Sequence, residues 1–386
     1  MTSALQVIFW ASLAHVVWSY FVYPLTMAAL VAVRRRETPP PGPQPTVTLV
    51  IAAYNEERDI ANKLENSLTL EYPADKLEVI VASDRSTDGT HEIVRGFADR
   101  GVTLVVLPER GGKTAGQNLA AEHATGDVLV FTDATTEFAS TTLRDLLRPF
   151  DDSSVGCVGA ELEYVSEEGS AVGRGAGAYW RYERKVKALE ASANSLIGVS
   201  GCLYAVRRSL YTPLDPQLIS DFVIAGDIYE KGYRTTYARG AVSREVTNET
   251  SEREFTMRVR VIVRSWNAIV QRAHMLNVFR FGWFSYQLYC HKVMRYTVPH
   301  VLLIALATNI ALAALPHPLQ GAYVVLLALH LSVYGTAVLG WWTVKTGIRV
   351  PLIHIPYYFF HANAAALVAS WRFLRGERMV TWSPVR

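Results

Sequence analysis

VTLVIAAYNEE (47–57) and LEVIVASDRSTDGT (77–90) are the two stretches on which the fold turns. In the first, the apolar run from Val47 to Ala53 passes through Tyr54, Asn55, Glu56 and Glu57 into a helical stretch ending near Leu70. In the second, Leu77 to Ala82 passes through Ser83, Asp84, Arg85, Ser86, Thr87 and Asp88 into another helix. Val102 to Leu107 and Asp127 to Thr132 are a third and a fourth apolar run. A strand buried on both faces reads this way, because alternation is needed only where one face meets water. Strands that alternate with helices predict an α/β fold, a mostly parallel sheet with helices on both faces. Ligands bind outside the carboxyl ends of such strands, so the residues just after each run are the candidate site.

Those residues are Ala53, Asn55 and Glu56 after the first run, Asp84 after the second, and Asp133-Ala134-Thr135 after the fourth. Gly111-Gly112-Lys113 lies between the third and the fourth. Singly, each has a structural reading. Ser86-Thr87-Asp88 caps a helix, a Gly-Gly-Lys turn is a loop, and Asp133 can cap a helix starting near Ser140. Together they bring acidic and basic groups to one edge, for which a purely structural sheet has no use. The set matches the parts of a nucleotide-sugar. Asp84 can accept from a base N–H, and the turn from Ala53 to Glu56 can meet base and ribose. Lys113 can meet the diphosphate. A hard cation such as Mg2+ or Mn2+ binds through one or two carboxylates plus phosphate oxygens, and Asp133 is the candidate ligand.

Working outward, residues 4–33 carry no charge and end at Arg34, Arg35 and Arg36. That length spans a bilayer, and the arginines place this flank on the cytosolic side. ETPPPGPQPT (37–46) is a Pro-rich linker. Further apolar segments lie at about 297–315, 321–343 and 351–371. The last contains Pro351, His354, Pro356, His361 and Asn363, and reads as re-entrant or packed inside the protein. Leu276 to His291 reads as an interfacial amphipathic helix. The predicted map is therefore a membrane helix at 1–36, the linker, and a catalytic domain at 47–255. Interfacial helices at 256–292, membrane segments at 293–371 and a cytosolic tail at 372–386 follow.

Composition agrees with a soluble part joined to a greasy one: half of the 386 residues are hydrophobic, yet 38 are Lys or Arg and 35 Asp or Glu. The net charge of +3 carries no nucleic-acid footprint. Cys157, Cys202 and Cys290 form no CxxC pair and the histidines no HExxH, so neither a disulfide framework nor catalytic zinc is indicated.

IAAYNEE (51–57), SDRSTDGT (83–90), GGKTAGQN (111–118) and FTDAT (131–135) resemble the motifs of family 2 glycosyltransferases with the GT-A fold, in the membrane-bound branch. GVSGCLYAVRRSLY (198–211), ISDFVIA (219–225) and KGYRTTYARGAVSREVTNET (231–250) resemble its acceptor-side segment, its catalytic aspartate and the stretch that follows. The resemblance implies that Asp84 holds the base, Lys113 the diphosphate and Asp133 a metal. It implies that Asp221 is the general base and that Gly201 lines the acceptor side. The implied reaction is transfer from a nucleotide-sugar, uridine-linked, to a lipid, lipid-linked or polysaccharide hydroxyl, with inversion. The implied location is the cell inner membrane, with the catalytic domain in the cytosol. Two departures stand out. The family's Asp-x-Asp is Asp133-Ala134-Thr135, leaving Thr135 as a weak or water-mediated ligand. The Gln-x-x-Arg-Trp of polysaccharide synthases is replaced by Arg258 to Trp266 in other spacing, where Arg260 and Arg264 can clamp the diphosphate and Trp266 can stack on the acceptor. A basic amphipathic interfacial helix explains that segment equally well. Single-sugar transfer is the reading, with a processive synthase or a catalytically silent nucleotide-sugar-binding scaffold as alternatives.

Overall fold

The structure, a computed structural model, describes residues 2–34, 40, 42–165, 171–246, 251–346, 348, 350 and 353–379. In chain order the principal elements are α1 (Thr2–Val33), β1 (Val47–Ala53), α2 (Ile60–Leu68), β2 (Leu77–Ser83), α3 (Thr90–Arg95), β3 (Val102–Val106) and α4 (Gly112–His123). Then come β4 (Val128–Asp133), β5 (Glu137–Phe138), α5 (Thr142–Leu147), β6 (Val155–Val165), α6 (Ala171–Ala193), β7 (Leu203–Arg207) and α7 (Ser220–Glu230). The chain continues through β8 (Arg234–Val246), α8 (Ser251–Gln271), α9 (Trp283–Ala314), α10 (Gln320–Lys345) and α11 (His354–Leu374).

All seven residues of β1 are buried because both of its edges and both of its faces are covered. It pairs in parallel with β2 and with β4. Successive side chains of a strand point to opposite faces. Leu49 and Ile51 accordingly join a core with Ile60, Leu64 and Leu146, while Val50 joins another with Ala120, Phe131 and Ile224. Helices α2 and α5 thus cover one face, and α4 and α7 the other. The strand order is β3-β2-β1-β4-β7-β6-β8-β5. The first four strands are the parallel half that the apolar runs predict. Beyond β4 the sheet is mixed: β7 runs antiparallel to β4 and β6, and β5 antiparallel to β8. Cores that cross both faces of one sheet hold the strand ends in fixed register, and that register positions the site.

Among the described residues three helices, α1, α9 and α10, are long and apolar enough to cross a membrane. Helix α11 packs Ala365, Ala366 and Ala369 against Val259, Ile262 and Val263 of α8, so it lies against the protein, as its prolines and polar residues suggest. The interfacial segment differs from expectation. Gly282, at φ +52°, breaks the chain after short helical turns, and Trp283 then starts a helix that runs into the span without interruption. Both α1 and α9 contain a π-helical turn, at Trp18–Val22 and Tyr289–Val293. Residues 37–39 and 41 of the linker and the end of the tail lie outside the described residues.

Candidate active site

Sheet register brings the predicted residues to one rim. Ala53 pairs with Ser83, so Asp84 follows directly at the edge, and its backbone N–H donates to the Ala53 carbonyl at 2.9 Å. Asp133 closes β4 opposite Ala52. Thr132 pairs with Leu203 of β7, and its hydroxyl donates to the Cys202 carbonyl at 2.9 Å, which draws the Gly198–Cys202 turn to the same rim.

Asp84 is almost wholly buried. Its Oδ1 accepts from the backbone N–H groups of Gly111 and Gly112 at 2.8 and 3.1 Å, so the carboxylate shapes the glycine loop that starts α4. Its Oδ2 is buried and accepts no hydrogen bond, with Arg110 Nε 3.7 Å away. A buried carboxylate oxygen without a donor is costly, so it marks a place for a ligand N–H. The Arg110 guanidinium also lies 3.7 Å from the centre of the Tyr54 ring, closing that end of the cleft. Sequence reading passed over Arg110, although its place one residue before the glycine pair was a signal. Asn55, at φ +55°, accepts from the Thr87 N–H through Oδ1 at 2.7 Å, and Glu56 is buried with its N–H on Thr90 Oγ1. These two residues therefore tie the β1 and β2 turns together and shape the pocket.

Lys113, the second residue of α4, stands at the centre. Its ammonium donates to the Gly201 carbonyl at 2.8 Å and makes an ion pair with Asp133. Burial opposes its charge, but Asp133 and, more weakly, Asp221 outweigh this and hold its pKa above the ordinary lysine value. Asp221 lies in the first turn of α7, anchored by a bond from the Val199 N–H to its carbonyl at 2.8 Å. A Cβ placed on Gly201 would meet Asp221 Oδ2 at 3.1 Å and Lys113 Nζ at 3.4 Å, so only glycine leaves the space between them open. Gly201→Ala is expected to keep the fold and lower transfer by about ten- to hundredfold, the effect of displacing a reacting group by a fraction of an ångström to an ångström. Steady-state rates at saturating donor check this, and a native rate would remove Gly201 from the reacting space.

Helix α8 supplies two more cations from one face. Arg264 donates to the Leu218 carbonyl at 2.7 Å and faces Asp221, and Arg260, one turn earlier, faces Asp133. Burial lowers the pKa of each, and the facing carboxylate resists that shift. Arg258 points elsewhere, to Glu254 and Tyr358. Trp266 also departs from expectation: its ring stacks on Phe373 and tilts against Tyr296, within the packing of α8 on α11. The helix presents arginines to the cleft and its tryptophan to the neighbouring helices.

For a divalent cation the described residues offer no group of three or more His, Cys, Asp or Glu side chains. They offer Asp133, partly exposed, and the exposed Thr135 two residues on. This set fits a cation shared with a diphosphate, and it does not fit an all-protein cage. Beneath the turn, Lys63 is buried and donates to Thr132 Oγ1 at 3.2 Å and to the Thr136 carbonyl at 2.5 Å, bracing Asp133 from behind. Burial pushes its pKa well below the usual value, against the pull of Asp133 and Glu137. A lone lysine in IANKLENSL reads as solvated, so sequence gave no sign of this brace.

Residues 48–212 match the family described as "Glycosyl transferase family 2". The probable glycosyltransferase YdaM of Bacillus subtilis is 26% identical over 228 residues, covering 53% of this chain and 52% of that protein. A beta-monoglucosyldiacylglycerol synthase of Nostoc sp. is 34% identical over 121 residues, 30% of this chain and 26% of that protein. The chain spans about half the length, or less, of these curated relatives. Among solved structures, the mannosyltransferase PcManGT from Pyrobaculum calidifontis, in complex with GDP-Man and Mn2+, superposes with a TM-score of 0.73 at 25% identity. That match covers 97% of this chain and 99% of the other, so the flanking helices are matched along with the GT-A domain.

Proposed function

This chain belongs to the family 2 glycosyltransferases, and on that premise we propose that its cleft moves a sugar from a nucleoside-diphosphate donor to an acceptor hydroxyl presented at the membrane. The observation that carries the reading is the meeting of Lys113, Asp133, Gly201 and Asp221 at one rim, with Asp84 at its far end. Asp84 Oδ2 takes a ring N–H of the base. Because Oδ1 already serves two loop amides, a single free oxygen suits uracil, with one ring N–H, better than guanine, whose N1–H and N2–H reach for both oxygens. Lys113, Arg260 and Arg264 hold the diphosphate. Asp133, with the Thr135 hydroxyl, would hold Mg2+ or Mn2+, which supplies positive charge at the diphosphate oxygens as they take up electrons. The acceptor oxygen bonds to the anomeric carbon while that carbon's bond to the diphosphate oxygen breaks. The hydroxyl proton passes to Asp221, and the nucleoside diphosphate leaves with the electron pair. A single displacement of this kind inverts the anomeric centre.

The setting is a membrane protein in the cell inner membrane, its catalytic domain on the cytosolic side where Arg34 ends α1. The three helices fit to span among the described residues favour addition of one sugar over extrusion of a long polymer.

The test is incubation of the full chain in lipid vesicles with labelled UDP- and GDP-sugars, with Mn2+, with Mg2+ and with chelator. Metal-dependent label in an extractable product, greater from a UDP-sugar, is expected. No turnover with any donor or metal would point to the silent scaffold, and products carrying many added sugars to the processive synthase. Asp84→Asn keeps one oxygen for the glycine loop but presents an NH2 where the base N–H arrives. UDP affinity should fall by about ten- to hundredfold, the worth of a charged hydrogen bond. UDP titration reads this, and native affinity in the variant would put the base elsewhere.

A further inference from the structure

Near Asp221, α6 and α9 enclose a second group of charges. Glu183, Lys187 and Glu190 lie four and three residues apart on α6 and so share one face. Both glutamates are buried and each contacts α9. His291 Nε2 lies 3.1 Å from Glu183, its Nδ1 lies 2.5 Å from Glu190, and Arg295 pairs with Glu183. The two lysines form no ion pair among the described residues. Among the described residues Lys187 makes no hydrogen bond or ion pair. Lys292 makes no ion pair, and its nearest polar partner is the Tyr296 hydroxyl at 3.4 Å. Lys187 interacts electrostatically with Lys292 and with Asp221, and the Lys292 ammonium lies 5.2 Å from the ring centre of Phe222, beside Asp221. Burial first, and then the like charge of Lys292, push Lys187 below the ordinary lysine pKa.

Two half-buried ammonium groups close together repel, and an anion that joins them relieves the repulsion. Glu183 is held by His291 and Arg295 and Glu190 by His291 and Tyr23, and among the described residues neither makes an ion pair with either lysine, so an anion from outside can join the two ammonium groups. The place is also unusual in its backbone: Lys292 sits in the π-helical turn Tyr289–Val293, a distortion that recurs at functional sites. Asp221 acts electrostatically on Lys113 of the donor cleft and on Lys187 of this group, and Phe222 beside it meets Lys292, so the group adjoins the base. Depth identifies the carrier. Helix α9 has 32 residues, roughly 48 Å, against a hydrocarbon core of about 30 Å. Lys292, about 14 Å from its start, is at the level of lipid head groups.

We propose that Lys187 and Lys292 bind the phosphate of a phosphate-headed membrane lipid, which presents the acceptor hydroxyl to Asp221. This rests on the transfer reading above for the role of Asp221, but the phosphate site can be tested without turnover. The probes are dioctanoyl phosphatidic acid, uncharged dioctanoylglycerol and inorganic phosphate, each titrated against the full chain in detergent, with UDP titrated separately. Phosphatidic acid should bind well above dioctanoylglycerol. Its affinity should fall at least about tenfold in Lys187→Gln/Lys292→Gln, with UDP affinity held within about twofold. Lys187→Arg/Lys292→Arg should retain most of the binding. Equal binding of the two lipids by the native chain, or unchanged phosphatidic acid binding in the glutamine variant, overturns the proposal. Inorganic phosphate that binds as tightly as phosphatidic acid upholds phosphate recognition and overturns the lipid as its source. Where the double variant loses UDP as well, Lys187→Gln alone repeats the comparison. A native chain that discriminates the lipids yet binds no UDP would defeat the donor reading and leave this one standing.

Discussion

Asp221→Asn is expected to stop transfer while UDP still binds within about twofold of the native affinity. Asparagine has the same shape, and the anchoring bond to Asp221 comes from its backbone carbonyl, which the substitution leaves in place. The neighbours Lys113, Gly201 and Arg264 therefore keep their positions. What disappears is the only feature an amide cannot reproduce, a basic oxygen ready for the acceptor proton. General-base catalysis contributes typically about 10² to 10⁴ in rate, so the loss should fall in kcat and hardly in donor binding. Parallel measurement of turnover and of UDP titration separates the two. A variant that transfers at the native rate removes Asp221 from proton transfer. One that loses UDP binding as well shows that the carboxylate holds the donor.

Much of this architecture was legible because the informative signals are local. A strand buried on both faces must be apolar along its length, and the residue after it must leave the sheet, so β1, β2, β3 and β4 and the residues Asp84 and Asp133 stand out in one dimension. The second half of the sheet was not legible in that way. Strands β6 and β8 lie side by side although 78 residues separate Cys157 from its pairing partner Thr235, and nothing local records a long-range register.

 The pairing of Cys157 with Thr235 and of Leu162 with Ser243 joins segments that lie on either side of α6, β7 and α7.

The same limit explains the side chains that sequence misplaced or missed. Arg260, Arg264 and Trp266 sit within seven residues on one helix, and only the packing of α11 decides which face is turned to the cleft. Lys187 lies in a stretch crowded with charge, Arg181 to Glu190, which by itself reads as a solvated face. It becomes unusual only when α9 brings Lys292 against it. Lys63 is hidden for the opposite reason, since a single charge in an otherwise amphipathic helix carries no sign of burial.

Lys113→Gln should cost about 10² to 10³ in kcat/KM, the loss seen when one preorganised donor to a developing negative charge is removed. Lys113 touches both halves of the site: it pairs with Asp133, bonds the Gly201 carbonyl and faces Asp221. Glutamine can replace the bond to Gly201, but it carries no charge for the diphosphate and leaves Asp133 and Asp221 without their shared cation. Donor affinity and turnover should therefore fall together, unlike the Asp221→Asn variant, in which turnover alone falls. Lys113→Arg should not restore the native rate, because a planar guanidinium is larger than an ammonium and the space beside Gly201 is narrow, with Lys113 Nζ already 3.4 Å from the Cβ position. The measurements are kcat/KM for transfer and UDP affinity in all three proteins. A glutamine variant within about threefold of native in both would mean that the diphosphate is neutralised by Arg260 and Arg264 alone, and that Lys113 serves only to hold the Gly201 turn against α4.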